Sequence, residues 1–337
     1  MTSSPPPDRA EKIVPRHIVV PLDRSPLAER ALVPAAEIAR RTGALIRLVH
    51  VRPGAPALRW GDDASRETES AQEFAAAREY LARVALRLST DWGVDVGIAT
   101  LRGRVPTAIC ADAAAAGADL IVMSTHGRTG WSRFWIGSVA DAVLHRARVP
   151  VLLVRGTVRR APHQGPPAFA PARILVPVDG APECDQVLRT VAGVFGPFHP
   201  TVELLEVVAP MEAGSFTASL GRATGAPDQE GTEATMRLAQ RYLARAADRL
   251  SALQPSLSVT TTAVIEEPAT HAIVDAAGRA DVVAIVSHGR GVSRLLVGSV
   301  CDKLLQGSTA TLLVFPPSGG SPRRIVAATD AVAALAR

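Results

Sequence analysis

Three stretches of this chain recur in the same order, at offsets of 156 to 162 residues. "HIVVPLDRSPLAERAL" from His17 returns as "RILVPVDGAPECDQVL" from Arg173, which sets Asp23 against Asp179. "ADLIVMSTHGR" from Ala118 returns as "ADVVAIVSHGR" from Ala280, and "VPVLLVR" from Val149 as "TATLLVF" from Thr309. A repeat of this kind means one folding unit used twice, and 337 residues suit two units of roughly 150. The expected organisation is a disordered, Pro-rich tail over 1–16, a first domain over 17–156, a Gly- and Pro-containing linker over 157–172, a second domain over 173–316 and a tail over 317–337. The last tail contains "RRIVAATD", which resembles the start of a third copy cut short.

Within the first copy, short β-branched runs alternate with longer Ala-rich ones. Strands are expected over 17–22, 45–51, 94–101, 119–124 and 150–154, and helices over 26–42, 66–91, 105–116 and 138–147. In the second helix Phe74, Ala77, Leu81, Val84 and Leu88 recur at three- and four-residue steps, one buried face. Runs such as "LIVM" and "VLLV" are apolar on both faces, as parallel strands covered on each side must be. The expected fold class is α/β: two open five-stranded parallel sheets in tandem, each sandwiched between helices in a Rossmann-like manner. Ligands of such sheets sit beyond the carboxyl ends of the strands where strand order reverses. That rule points to Asp23, to His50 and Val51, to Gly103 and to the stretch "STHGRTGWSRFWIGSV" from Ser124.

Composition removes several function classes. The net charge is +5, but Lys occurs only at 12 and 303 and the arginines are interspersed with acids, so no nucleic-acid tract is present. Three widely separated cysteines without CxxC spacing predict neither a disulfide framework nor a structural zinc. With no apolar run near eighteen residues and no signal-like start, the expectation is a cytoplasmic protein that does not span membranes.

The stretch from Ser124 has the chemistry of an anion cradle: little side-chain bulk at Gly127, Gly130 and Gly137, and a helix beginning behind it. Gly137 allows close approach of a phosphate, Ser138 either caps the helix or donates to the anion, and Arg128 and Arg133 carry compensating charge. Equally, the glycines could serve a turn, Asp23 and Asp179 could be helix N-caps, and the arginines could be solvated surface charges. Trp131 and Trp135 flank the stretch and suit a base, the sheet or a partner. His126 and His288 lack a second ligand at metal spacing and are read as ordering the loop. Neither the Walker A nor the GxGxxG pattern is met, and no nucleophile–base set assembles, so no catalytic residue is assigned.

"VMSTHGRTGWSRFWIGSVADAVLHRARVPVLLVR", with "IVVPLDRSPLAERAL" and "VHV", resembles the universal stress protein family, and the resemblance extends over both copies. It implies an adenine nucleotide α-hydrolase-like fold, ATP binding, and hydrolysis that is slow or absent. The family's nucleotide-binding members carry Gly, two residues, Gly, nine residues, then Gly-Ser or Gly-Thr. Here Ser124 takes the first glycine position, Gly127 the second, and Gly137-Ser138 closes the pattern after nine residues. The resemblance further implies that Pro21, Asp23 and Val51 line adenine and ribose, that Met123 flanks the base, and that Gly127, Gly137, Ser138 and Val139 meet phosphates with which Mg2+ could travel. The fifth strands are expected at sheet edges, where the resemblance implies that units pair, making the chain an intramolecular pseudo-dimer with a further homodimer open.

The second copy departs from the pattern. Val286 replaces the first glycine, eight residues rather than nine separate Gly289 from Gly298-Ser299, and Glu206, Glu266 and Glu267 stand where the first copy has His50 and the "RGRVP" turn. Acids there oppose a triphosphate, one pair at 4 Å costing roughly 1–4 kcal/mol. The expectation is a stress-response regulator binding ATP in its first half and signalling to an unidentified partner. The alternative is an interaction scaffold with vestigial pockets in both halves.

Overall fold

The computed structural model describes residues 11–53, 63–125, 137–155, 168–210, 229–287 and 299–316. In the first half β1 (His17–Pro21) leads through a 3-10 turn (Ala28–Ala31) into α1 (Leu32–Thr42), followed by β2 (Leu45–Arg52), α2 (Asp63–Trp92), β3 (Val96–Arg102), α3 (Val105–Ala115), β4 (Leu120–Ser124), α4 (Ser138–Leu144) and β5 (Val151–Val154). The second half repeats the order: β6 (Arg173–Pro177), α5 (Glu183–Phe195) with a 3-10 turn (Gly196–Phe198), β7 (Thr201–Val208), α6 (Gln229–Leu253), β8 (Ser258–Ile265), α7 (Ala269–Ala277), β9 (Val282–Val286), α8 (Ser299–Gly307) and β10 (Thr311–Phe315).

The strands that are apolar on both faces lie, as they must, in the middle of the sheet. Ile18, Val19 and Val20 of β1, Ile121 and Val122 of β4, and Leu152 and Leu153 of β5 are fully buried. Each half pairs its own five strands in parallel, and the order across the sheet is β3-β2-β1-β4-β5-β10-β9-β6-β7-β8. Among the described residues the one antiparallel junction is the seam between β5 and β10, where Leu152 faces Leu313 and Leu153 faces Leu312. Because these leucines are themselves counterparts in the repeat, the seam is two-fold symmetric. The fifth strands therefore meet edge to edge, giving one ten-stranded sheet rather than two separate ones. One face buries residues of α1, α2, α5 and α6, the other residues of α3, α4, α7 and α8, and each apolar layer runs through both halves.

Repeated polar contacts fix the repeated geometry. Asp119 Oδ2 accepts the N–H groups of Arg16 and His17, and Asp281 Oδ2 those of Ala172 and Arg173, so the Asp of each "AD" pair ties down the start of the neighbouring strand. Other contacts cross between the halves. Arg41 on α1 donates to the Pro197 carbonyl at 2.7 Å and stacks 4.4 Å over the Phe198 ring. Residues 11–16 belong to the tail expected to be disordered, but in the structure they lie against α5. Ile13 N–H donates to Arg189 O, Arg189 Nε donates to Glu11 O, and the backbone of Ile13 occupies the place a side chain would need at Gly193. Only a glycine permits that approach. The C-terminal end of the linker is also packed, with Phe169 edge-on to Phe198 at 5.9 Å; residues 156–167 and 317–337 lie outside the described residues.

An asymmetric polar contact lies beside the seam. Arg155, just beyond β5, donates to the carbonyls of Leu304 and Ser308 at 3.0 and 2.9 Å, and also to that of Leu305. These carbonyls lie at and just beyond the end of α8, where a helix carries a partial negative charge, and the Leu304 carbonyl also accepts the Ser308 N–H at 3.0 Å. Burial pulls the Arg155 guanidinium below its usual range, yet a group of this type stays protonated. Arg155→Met keeps the stem and removes the donors, and is expected to lower unfolding free energy by about 3 kcal/mol. Urea denaturation checks this: an unchanged midpoint would show the contact contributes nothing.

Candidate functional site

Beyond the carboxyl ends of β1, β2 and β4 lies a cavity of about 600 Å³. It opens where β1 and β4 are neighbours but their following chains leave for opposite faces, the strand-order reversal at which open α/β sheets hold ligands. Pro21, Asp23, Val51, Met123, Gly137, Ser138 and Val139 all line it. Gly127 and Arg128, together with His126, Trp131, Arg133 and Trp135, fall in the segment 126–136, outside the described residues.

The wall formed after β1 is a tight turn. Asp23 Oδ1 accepts the Ser25 N–H at 2.9 Å, and the Ser25 hydroxyl accepts the Ala28 N–H at 3.0 Å at the start of the 3-10 turn. Asp23 thus orders the turn instead of capping a helix, and the contact at the helical start is made by Ser25. Between them Arg24, which also lines the cavity, takes φ +68, a conformation that costs a side-chain-bearing residue about 1 kcal/mol or more. The second copy places Gly180 there at φ +74. The floor comes from β2: His50 Nδ1 lies 2.8 Å from the Leu22 carbonyl, which can only accept, so Nδ1 carries the proton and Nε2 is the acceptor in the neutral ring.

The opposite wall is the start of α4. Gly137 occupies the N-cap position at φ −62 and ψ 143, without a side-chain cap, and Ser138 is the first helical residue. The helix-cap option for Ser138 is therefore taken by Gly137, whose N–H donates to the Thr125 carbonyl at 2.6 Å and closes the base of segment 126–136. Gly137 is not in the left-handed region, so its value is lack of bulk rather than backbone freedom.

Sequence reasoning missed the third wall. Glu73 and Phe74, one turn before the buried Ala77 on α2, line the cavity, as do Val105 and Ile109 from α3 on the other face of the sheet. Phe74 belongs to the apolar stripe predicted for α2, but it is only half-buried and lines the cavity, while Ala77, Leu81, Val84 and Leu88 enter the core. Arg52 and Arg102 are side by side across β2 and β3. Arg52 Nε reaches Glu73 Oε2 at 2.6 Å, and the Arg102 guanidinium lies 4.5 Å from the Phe74 ring centre. The pairing of two arginines at adjacent strand ends was the available signal.

The second half keeps the framework and changes the lining. Asp179 Oδ1 accepts the Ala181 N–H at 3.0 Å, repeating the Asp23 turn, but Cys184, the counterpart of the cavity-lining Ala28, brings its thiol within 3.6 Å of the same oxygen. Val208 and Ile265 stand across β7 and β8 where Arg52 and Arg102 stand in the first half. Glu206 occupies the place of His50, and Glu266, whose N–H donates to Val208 O, that of Gly103, whose N–H donates to Arg52 O. Cavities of about 470 and 390 Å³ in this half lie between α7 and α8 and beside β7, β8 and α7, and neither is lined by Asp179, Glu206 or Val207.

Burial raises the pKa of all three thiols, Cys301 to about 12, which keeps them protonated near neutral pH. Among the described residues, no group of three His, Cys, Asp or Glu side chains is placed to hold a metal, and no helix is long and apolar enough to cross a membrane.

Comparison with known proteins agrees with this architecture. A universal stress protein of Methanocaldococcus jannaschii is 33% identical over 140 residues, covering 42% of this chain and 82% of its own. A universal stress protein of Mycobacterium tuberculosis is 26% identical over 324 residues, covering 88% and 95%. The crystal structure of a universal stress protein from Archaeoglobus fulgidus superposes over 89% of this chain and 97% of its own, with a TM-score of 0.59 at 18% identity, a likeness of fold. The universal stress protein family pattern matches residues 15–155 and again 172–316, and the chain belongs to that family, with two of its domains in tandem.

Proposed function

We propose that this tandem universal stress protein is a nucleotide-binding regulator that holds one ATP, or another adenine nucleotide, in its first half. The observation that carries the reading is convergence: Pro21, Asp23, Val51, Met123, Gly137, Ser138 and Val139, distant in sequence, line one cavity at the strand-order reversal. Its volume of about 600 Å³ lies within the range of small-molecule and cofactor sites. Adenine and ribose lie toward β1 and β2, and the phosphates toward Gly137 and the start of α4, accompanied by Mg2+. Segment 126–136, with Gly127 and Arg128, completes the phosphate end in this proposal. In this reading bound ATP is a signal that reports to a partner, with hydrolysis slow or absent.

The second half supports only the seam and the fold. Glu206 and Glu266 put carboxylates where the first half has His50 and Gly103, and the arginine pair is replaced by Val208 and Ile265. Titration of the full chain with ATP and magnesium by calorimetry is expected to give about one site per chain. Two equivalent sites would overturn the asymmetric reading. No binding at either half would favour the scaffold with vestigial pockets.

A further inference from the structure

We infer that Phe74 on α2 is the aromatic contact that selects a planar base at the β2 end of the cavity, a role that rests on the nucleotide reading above. Gly137, Ser138 and Val139 form one end of the cavity, and Val51, Arg52, Glu73 and Phe74 the other. Beside the Arg52–Glu73 pair, that second end carries Val51 of β2 and Phe74 from α2, while Val105 and Ile109 reach the cavity from α3 on the opposite sheet face. Side chains arriving from both faces over a strand end leave a slot suited to a flat heterocycle.

Phe74 is fixed for such a role. Its neighbour Glu73 is ion-paired to Arg52 at 2.6 Å, and its ring is held under the Arg102 guanidinium at 4.5 Å, with the Arg52 guanidinium at 6.0 Å. One turn later Ala77 is buried and Leu81 anchors α2 in the core, so the ring is attached to a rigid element. An aromatic held in place by its neighbours loses little freedom when a base stacks on it. Aromatics are 4% of the chain, and the corresponding residue of the second copy is Met236. The arginine pair that grips α2 is likewise confined to the first half. The ring and its clamp therefore occur together, in the half proposed to bind nucleotide, and both are missing from the other.

The test compares ligands with and without a base on the full chain. Phe74→Ala is expected to weaken ATP binding about tenfold, in line with aromatic–base stacking, and to leave the affinity for inorganic tripolyphosphate unchanged. Phe74→Tyr should retain ATP affinity within about twofold. Circular dichroism of each variant separates loss of contact from loss of fold, and Phe74→Leu provides a bulk-matched non-aromatic control if Phe74→Ala is unfolded. Equal ATP affinity in wild type and folded Phe74→Leu or Phe74→Ala overturns the Phe74 assignment alone. Equal weakening of ATP and tripolyphosphate also overturns it, since the residue would then act on the whole site. A wild-type chain that binds no adenine nucleotide overturns this inference and the nucleotide reading together.

Discussion

Leu152→Asp is expected to destabilise the chain by about 4 kcal/mol or more, the largest effect of any single change considered. Leu152 is fully buried on β5 and faces the equally buried Leu313 across the seam. The substitution removes a packed leucine, worth about 2–5 kcal/mol on truncation, and places a carboxylate where no water reaches. Since both apolar layers run through the seam, the loss reaches both halves. Leu86→Asp, at a position 70% exposed, should stay within about 0.5 kcal/mol of wild type and serves as control. Denaturant midpoints decide the matter. A loss below about 1 kcal/mol for Leu152→Asp would mean that the halves do not depend on the β5–β10 junction.

The second large effect is on binding. Gly137→Val should weaken ATP affinity well over tenfold, each decade being about 1.4 kcal/mol. Valine is compatible with φ −62 and ψ 143, and the N–H donated to Thr125 survives the change. The stability cost is that of a poorer N-cap residue, about 1 kcal/mol. What valine adds is a branched side chain at the end of the cavity assigned to phosphate. Calorimetry returning the wild-type affinity in a folded variant would remove Gly137 from the contact.

The fold was legible because its signals are periodic and doubled. The expected strands and helices of the first half match the observed elements to within three residues, save for the opening of α1, where Ala28–Ala31 forms a 3-10 turn. The edge position of the fifth strands was legible in the sequence, and their pairing was implied by the family resemblance; an apolar last strand that covers its edge with its counterpart is the physical reason. What escaped were features set by tertiary contact. Nothing in the polar opening of the chain announces that Ile13 will lie on Gly193 of the other half. An N-cap role for Asp23 stayed open beside a ligand contact because the residue type suits caps and turns alike, and only the hydrogen bond to Ser25 separates cap from turn. Phe74 fitted its apolar stripe, and the periodicity of a helix cannot say where the stripe runs off the core and over a cavity.

The two-fold seam has a consequence for how such a molecule can change. Were β5 to meet an identical strand from another molecule, every substitution there would be made twice, once on each side of the seam. In this chain, Arg155 reaches the carbonyls ending α8, while its twin position holds Phe315, buried among apolar neighbours. Two arginines or two phenylalanines are all that identical subunits could offer. The tandem arrangement frees each half from the other's sequence while leaving them joined at any concentration, however dilute. One cavity can therefore lose its arginines and acquire carboxylates without a matching loss in the other.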